Sequence, residues 1–209
     1  MSMQSVILAM TGASGSPYFL RLLQCCLQQG VKVHLLISKA GLLVLNEETE
    51  LTVPAQPLKQ AEYFSQLFQS PPEQLIAYGV QQWTSPLASG SHRIESMVVC
   101  PCTTGTLGAI ANGLSDNLIE RAADVMIKEQ KKLILAVREM PLSAIHLRHM
   151  QQLAQLGVVM MPPNPGFYFK PKTLDDMIDF VVARILDHLN VEHTLSQRWG
   201  KCAIDDYKN

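Results

Sequence analysis

The chain has 209 residues, 47% of them hydrophobic, with 17 basic and 18 acidic side chains and a formal net charge of −1. That is enough apolar material for one large core, and the near balance of charge argues against bulk electrostatic binding of nucleic acid or of an anionic membrane surface. No apolar run approaches the roughly 18–20 residues of a membrane span, and the start, Met1 to Ser5, has no basic segment, so a single cytoplasmic domain without a signal peptide is expected. Five cysteines are an odd count, read as reduced thiols. Cys100-Pro101-Cys102 offers two zinc ligands, but no second pair at metal spacing completes a set of four, so no metal is expected.

The first predicted strand, Ser5–Met10, runs into Thr11-Gly12-Ala13-Ser14-Gly15-Ser16 and a helix over Pro17–Gln29. The glycines permit a tight turn and close approach to a ligand, the helix start offers N–H groups to an anion, and Ser14 and Ser16 add hydroxyls. The spacing is neither the dinucleotide fingerprint nor a Walker loop, and a plain strand–helix turn is the alternative. A second strand, Val31–Ile37, leads to Ser38 and a helix over Lys39–Glu48, where Glu47, Glu48 and Glu50 crowd a negative helix terminus. Such acids are usually a solvated face; the cost of that placement favours a role for one of them. A helix over Leu58–Gln69 and a weaker strand at Gln74–Tyr78 follow. Trp83–Arg93 then reads as a long surface loop and a candidate lid.

The strand Met97–Cys100 opens, through Thr103-Thr104-Gly105-Thr106, a helix over Thr104–Ala111. Two hydroxyl- and glycine-rich helix starts side by side can hold a phosphorylated cofactor. In the helix over Asp116–Gln130, Arg121 and Lys128 lie about 20° apart on one face and roughly 10 Å apart along the axis. They are either a solvated surface, with little polar relief from Ala122, Ala123 and Val125, or a phosphate clamp. Strand Lys132–Val137 delivers Arg138, suited to bidentate phosphate contact, and Glu139, suited to proton transfer; a surface ion pair is the rival reading. A helix over Leu142–Leu156, a strand at Val158–Met161 and a rigid aromatic loop containing Tyr168 precede the last helix, Leu174–Leu189. Thr173 and Asp176 begin it as a capping box, and Met177, Val181, Ile185 and Leu189 form its stripe. Arg184 projects from it and Trp199 follows. The alternation of apolar strands with helices implies an α/β fold: a three-layer, flavodoxin- or Rossmann-like parallel sheet with helices on both faces and ligands beyond the carboxyl ends of the strands.

In order along the chain, Thr11-Gly-Ala-Ser-Gly15, Cys100-Pro-Cys-Thr-Thr-Gly-Thr106, Asn117-Leu-Ile-Glu-Arg-Ala-Ala-Asp-Val125, Arg138-Glu139, Pro165-Gly-Phe-Tyr168 and Phe180-Val-Val-Ala-Arg184 resemble the UbiX-type flavin prenyltransferases. The resemblance runs from about residue 5 to 200. It implies the flavoprotein fold shared with the flavin-dependent cysteine decarboxylases. It also implies that dimethylallyl monophosphate and reduced FMN are converted, without metal, to prenylated FMN closed between N5 and C6. The product would pass to a UbiD-type decarboxylase, in ubiquinone biosynthesis or aromatic acid decarboxylation. A homododecamer with its site between subunits follows from the same resemblance. So does one flavoprotein domain over residues 1–209, with the tail from about 190 packing at a subunit interface.

Carried over by position, Gly12, Ala13, Ser14, Ser38, Thr103, Thr104, Gly105, Thr106 and Arg138 form the FMN site. Thr103 stands where many members have Ser, which keeps the hydroxyl. Tyr168 and Arg184 bind the prenyl phosphate, and Arg121, Lys128 and Glu139 complete its surroundings from adjoining subunits. Lys128 and Glu139 join Ser14 and Glu48, the proton-handling pair, as catalytic residues. Trp83 and Trp199 lie near the prenyl group. The alternatives are an FMN-dependent cysteine decarboxylase and a non-catalytic flavin-binding subunit of a decarboxylase. Against the former, Glu48 follows the second strand where that group carries a catalytic His, and the loop from Pro162 to Tyr168 replaces its Pro-x-Met-Asn-x-x-Met-Trp segment.

Overall fold

The computed structural model describes residues 4–196. Its strands are β1 (Ser5–Met10), β2 (Lys32–Ile37), β3 (Leu75–Tyr78), β4 (Ser96–Cys102), β5 (Lys132–Val137) and β6 (Val159–Met160). They pair side by side in the order β3-β2-β1-β4-β5-β6, every pairing parallel. The α-helices are α1 (Ser16–Gln28), α2 (Lys39–Glu48), α3 (Pro57–Leu67), α4 (Thr104–Ala111), α5 (Leu118–Lys128), α6 (Ala144–Gln155) and α7 (Leu174–Leu189).

Alternate residues of each strand feed two cores, as the pleat requires. On one face Val6, Leu8, Met10 and Leu35 meet Phe19 and Leu22 of α1, Phe64 of α3 and Val182 and Ile185 of α7. On the other, Ile7, Ala9, Val99 and Leu135 meet Leu107 of α4, Ala122 and Met126 of α5 and Leu153 of α6. This is the expected three-layer arrangement. The chain builds outward from β1 through β2 to β3, then crosses back to β4 on the other side of β1. Strand order therefore reverses between β1 and β4, and a crevice opens beyond their carboxyl ends.

Several boundaries differ from the sequence reading, each for a local reason. β4 runs two residues past the expected end, through Pro101 to Cys102, with a register shift against β5 between Val99 and Cys102. A proline cannot donate to the ladder, so pairing lapses there and resumes at Cys102. α5 starts at Leu118 rather than Asp116 because Asn117 caps it, its Oδ1 accepting from the Ile119 and Glu120 N–H groups. The apolar stripe of α7 is wider than expected: Ile178, Val182 and Leu186 join Val181, Ile185 and Leu189, while Met177 is only half-buried.

The Trp83–Arg93 segment is held down rather than poised as a lid. It contains a 3-10 turn, Pro86–Ala88, capped by Ser85 and anchored by the fully buried Leu87, and the Ala88 carbonyl accepts from Arg121 Nε at 2.9 Å. The described cysteines, Cys25, Cys26, Cys100 and Cys102, are buried free thiols, and burial pushes both Cys26 and Cys100 up to about 12. They are packing groups rather than nucleophiles. Among the described residues no helix is long and apolar enough to cross a membrane.

Candidate active site

Two loops border the crevice, and one buried hydroxyl ties them together. Thr11, 3% exposed at the end of β1, accepts at Oγ1 from the Thr103 N–H at 2.9 Å and donates to the Pro101 carbonyl at 2.9 Å. Its own N–H donates to the same carbonyl at 3.2 Å. Thr11 has no role assigned from the sequence; its signal there is a polar residue directly ending an apolar strand. Next to it, a Cβ on Gly12 would stand 2.5 Å from Ala40 Cβ, so the absence of a side chain lets the start of α2 close against this loop. Gly15 then takes φ +135°, a conformation open to glycine, and turns the chain into α1.

Glu48, the last residue of α2, reaches back to that turn. Its Oε2 accepts from the Gly15 N–H at 3.0 Å and the Ser16 N–H at 2.8 Å, and the Ser14 hydroxyl lies near enough to favour the charged carboxylate. Burial pushes its pKa up, but the Ser14 hydroxyl and the two backbone donors outweigh it, and the group ends below the ordinary carboxylate range. Ser14 and Glu48 are thus brought together. The same contact corrects the expectation that the α1 start is open to a ligand anion: the anion seated there is the protein's own carboxylate.

The other two helix starts remain open. Ser38 Oγ accepts from the Gly41 N–H at 2.9 Å at the start of α2, and Thr103 Oγ1 accepts from the Thr106 N–H at 3.0 Å at the start of α4. Each cap takes the third backbone donor and leaves the first two, those of Lys39 and Ala40 and of Thr104 and Gly105, without an intrahelical partner. A Cβ on Gly105 would meet nothing nearer than Thr103 Oγ1 at 3.8 Å, so backbone is exposed to a ligand there. Arg138 and Glu139 leave the carboxyl end of β5, both exposed. Glu139 Oε1 accepts from the Met140 N–H at 3.0 Å, and the ion pair considered for the two does not form.

The remaining cations divide between the two faces of the sheet. On the α5 side, Arg121 Nη1 lies 2.8 Å from Asp124 and Lys128 Nζ 2.8 Å from Glu129. The clamp suggested by their seven-residue spacing is therefore not assembled within one chain. Each has a local acid, and Asp124 is the polar relief that the apolar neighbours had obscured. On the α7 side, Phe169 packs on Phe180 with ring centroids 6.1 Å apart, which folds the Tyr168 loop back along the helix. Arg184 stands one turn beyond Phe180 on the same face. Trp83 is 46% and Tyr168 76% exposed. Trp199 lies outside the described residues.

Residues 1–186 match the family model described as Flavoprotein. A flavin prenyltransferase UbiX from Pseudomonas aeruginosa is 47% identical, covering 95% of this chain and 95% of its own. Another from Methanocaldococcus jannaschii is 41% identical, covering 93% and 98%. Among solved structures, AnUbiX in complex with FMN and dimethylallyl pyrophosphate aligns with a TM-score of 0.84 at 35% identity, covering 95% of this chain and 98% of that one. A dodecameric FMN-dependent UbiX-like decarboxylase from Escherichia coli aligns with a TM-score of 0.83 at 38% identity, covering 94% and 99%. A PPC decarboxylase at 21% identity, with a TM-score of 0.61, shares the fold alone.

Proposed function

This chain belongs to the flavoprotein family and, within it, to the UbiX-type flavin prenyltransferases, and from that membership we infer that it joins the dimethylallyl group of dimethylallyl monophosphate to N5 and C6 of reduced FMN, giving prenylated FMN. The observation that carries the reading is the pair of open helix starts at the β1/β4 crevice. The N–H groups of Lys39, Ala40, Thr104 and Gly105, the hydroxyls of Ser38 and of Thr106, which Thr103 orients by donating to Thr106 Oγ1 at 3.0 Å, and the guanidinium of Arg138 make a donor set that suits a phosphorylated flavin. Gly12 and Ala13 shape the wall beside it. When bound, reduced FMN supplies the nucleophilic ring positions.

This chain's residues then have two tasks. A monophosphate leaves poorly without a metal, so Arg121, Lys128, Arg184 and the Tyr168 hydroxyl, with Glu139 beside them, stabilise the departing group, and the aromatic face of Trp83 favours the positive character of the allyl fragment. Closing at C6 releases a proton, which Ser14 and Glu48 handle. A carboxylate held below its ordinary range is a weak base, so Glu48 serves as a relay and the released phosphate, whose dianion is the stronger base, as the final acceptor.

Arg121 and Lys128 lie on one face of the sheet and Arg184 on the other, so one phosphate meets all three only where copies adjoin. A dodecamer of the kind described for the Escherichia coli relative provides that. In this reading residues 1–209 are one flavoprotein domain, in the cytoplasm, and a UbiD-type decarboxylase receives the product; most of the tail expected at a subunit interface, residues 197–209, lies outside the described residues. The cysteine decarboxylase alternative is less favoured, since the solved PPC decarboxylase is similar in fold only.

The test is anaerobic incubation of the protein with FMN, dithionite and dimethylallyl monophosphate, followed by mass spectrometry of the flavin. A flavin heavier by one dimethylallyl unit, formed equally in EDTA, is the expected result. An unchanged flavin mass would reduce the protein to a binding module.

A further inference from the structure

Arg184 is half of a surface ion pair, and the other half is unusually well fixed. α7 ends at Asn190, whose φ of 56° turns the chain back along the helix. Val191 is buried there, and His193 returns to the last turn with its side chain only 7% exposed. His193 Nε2 lies 3.1 Å from Asp187 Oδ1 and must be the donor, since a carboxylate only accepts. Asp187 Oδ2 in turn takes Arg184 Nη1 at 2.5 Å. One carboxylate therefore bridges a buried imidazole and a guanidinium that is 55% exposed.

An exposed pair three residues apart on a helix ordinarily contributes little and samples several rotamers. Here the imidazole removes that freedom from the carboxylate, and the carboxylate passes the restraint on. Burial pushes the Asp187 pKa up, but the hydrogen bond from His193 and the adjacent Arg184 guanidinium leave it below the ordinary carboxylate range. The acid is thus ionised at neutral pH. Nη1 is the guanidinium atom engaged among the described residues, which leaves the Nε–Nη2 edge, whose two parallel N–H groups match a phosphate, for a ligand.

Resting on the reading of Arg184 as a ligand of the prenyl phosphate, we propose that Asp187 and His193 are positioning residues that hold the Arg184 guanidinium in its phosphate-binding orientation before substrate arrives. The gain is entropic: a long side chain ordered in advance is not ordered at the expense of binding. Asp187 also offsets part of the charge of Arg184, so the proposal requires orientation to outweigh that loss.

The experiment titrates dimethylallyl monophosphate into the FMN-loaded protein by calorimetry, alongside steady-state kinetics, for Asp187→Asn, Arg184→Ala and the double variant. Asp187→Asn is expected to raise Kd and KM about two- to 150-fold, the span of couplings within one side-chain network, with kcat and FMN affinity unchanged. His193→Leu should do the same, and His193→Gln, which keeps an N–H donor, should stay near the wild type. In the Arg184→Ala background, Asp187→Asn should add nothing. Unchanged or tighter binding in Asp187→Asn, or an equal loss in both backgrounds, would overturn the proposal. An Arg184→Ala variant that binds normally would instead sink the assignment of Arg184, and the positioning role with it. Should Asp187→Asn fail to fold, the same comparison is made with His193→Leu.

Discussion

Glu48 occupies a position that the local motif reserves for a ligand, and its surroundings set what it can do. Two backbone donors and the nearby Ser14 hydroxyl keep it charged, so in the proposed reaction it passes a proton on rather than keeping it. Glu48→Gln retains an oxygen for the Gly15 and Ser16 N–H groups but cannot take up a proton. The variant should fold and bind FMN as the wild type does, with turnover reduced about a hundredfold or more, the usual contribution of a positioned proton carrier. Unimpaired turnover would remove Glu48 from the proton path. A second titratable group lies away from the crevice. His34 stacks on Tyr78 with Nδ1 3.1 Å from the phenol oxygen, and burial, helped by Lys32 and His92, pulls its pKa down to about 4. The unfolded chain takes up that proton from about pH 6.5 downward and the folded one only near 4, so stability is complete above 6.5 and falls as the pH drops. Between pH 7 and 5 the loss is about 2 kcal/mol by linkage, and His34→Gln should flatten the corresponding fall in Tm. An equally steep profile in the variant would mean that other groups, His92 first among them, carry it.

At the scale of elements, the site depends on how closely the starts of α1, α2 and α4 converge. Thr11 fixes the β1 loop to the β4 loop, and Gly12 admits α2. Gly12→Ala would force its Cβ into Ala40 at 2.5 Å and move the α2 start, with Ser38 and the Lys39 and Ala40 N–H groups, away from the β1 loop. FMN affinity should fall by about tenfold or more, because several charge-assisted contacts weaken together. Fluorescence titration of FMN checks this, and undiminished affinity would place the phosphate elsewhere. The elements themselves were partly legible in advance. α2, α4 and α7 begin at the residues expected because Ser38, Thr103 and Thr173 are strong caps directly after a strand or loop. α1 lacks a side-chain cap of its own, since its donors are served from the end of α2, 32 residues away from Ser16.

At the scale of the whole molecule, the layered architecture divides the cations proposed to bind the prenyl phosphate between opposite faces, α5 with Arg121 and Lys128, α7 with Arg184. If one phosphate uses both sets, they come from different copies. Lys128→Ala and Arg184→Ala should each be nearly inactive, yet assemblies formed from an equal mixture of the two should recover activity at roughly a quarter of the sites, the random expectation for a symmetric oligomer. No recovery on mixing would mean that both cations serve from the same chain.

The sequence by itself determined the layers, the parallel sheet and the location of the crevice, because apolar periodicity and glycine- and hydroxyl-rich strand ends are local properties. It also marked Ser14, Ser38 and Thr103, since each stands in or beside such a strand end, and Glu48, an acid set against the negative end of a helix. The tertiary structure alone decided which helix starts are open. Whether an N–H group is free depends on what packs against it, and Glu48 closes one start while Ser38 and Thr103 leave two available. It alone joined Arg121 Nε to the Ala88 carbonyl, held the Trp83–Arg93 segment down through Leu87, and set a buried His193 behind Asp187 and Arg184. Spacing along a helix says which side chains share a face; it does not say which neighbour, brought in by the fold, has already claimed them.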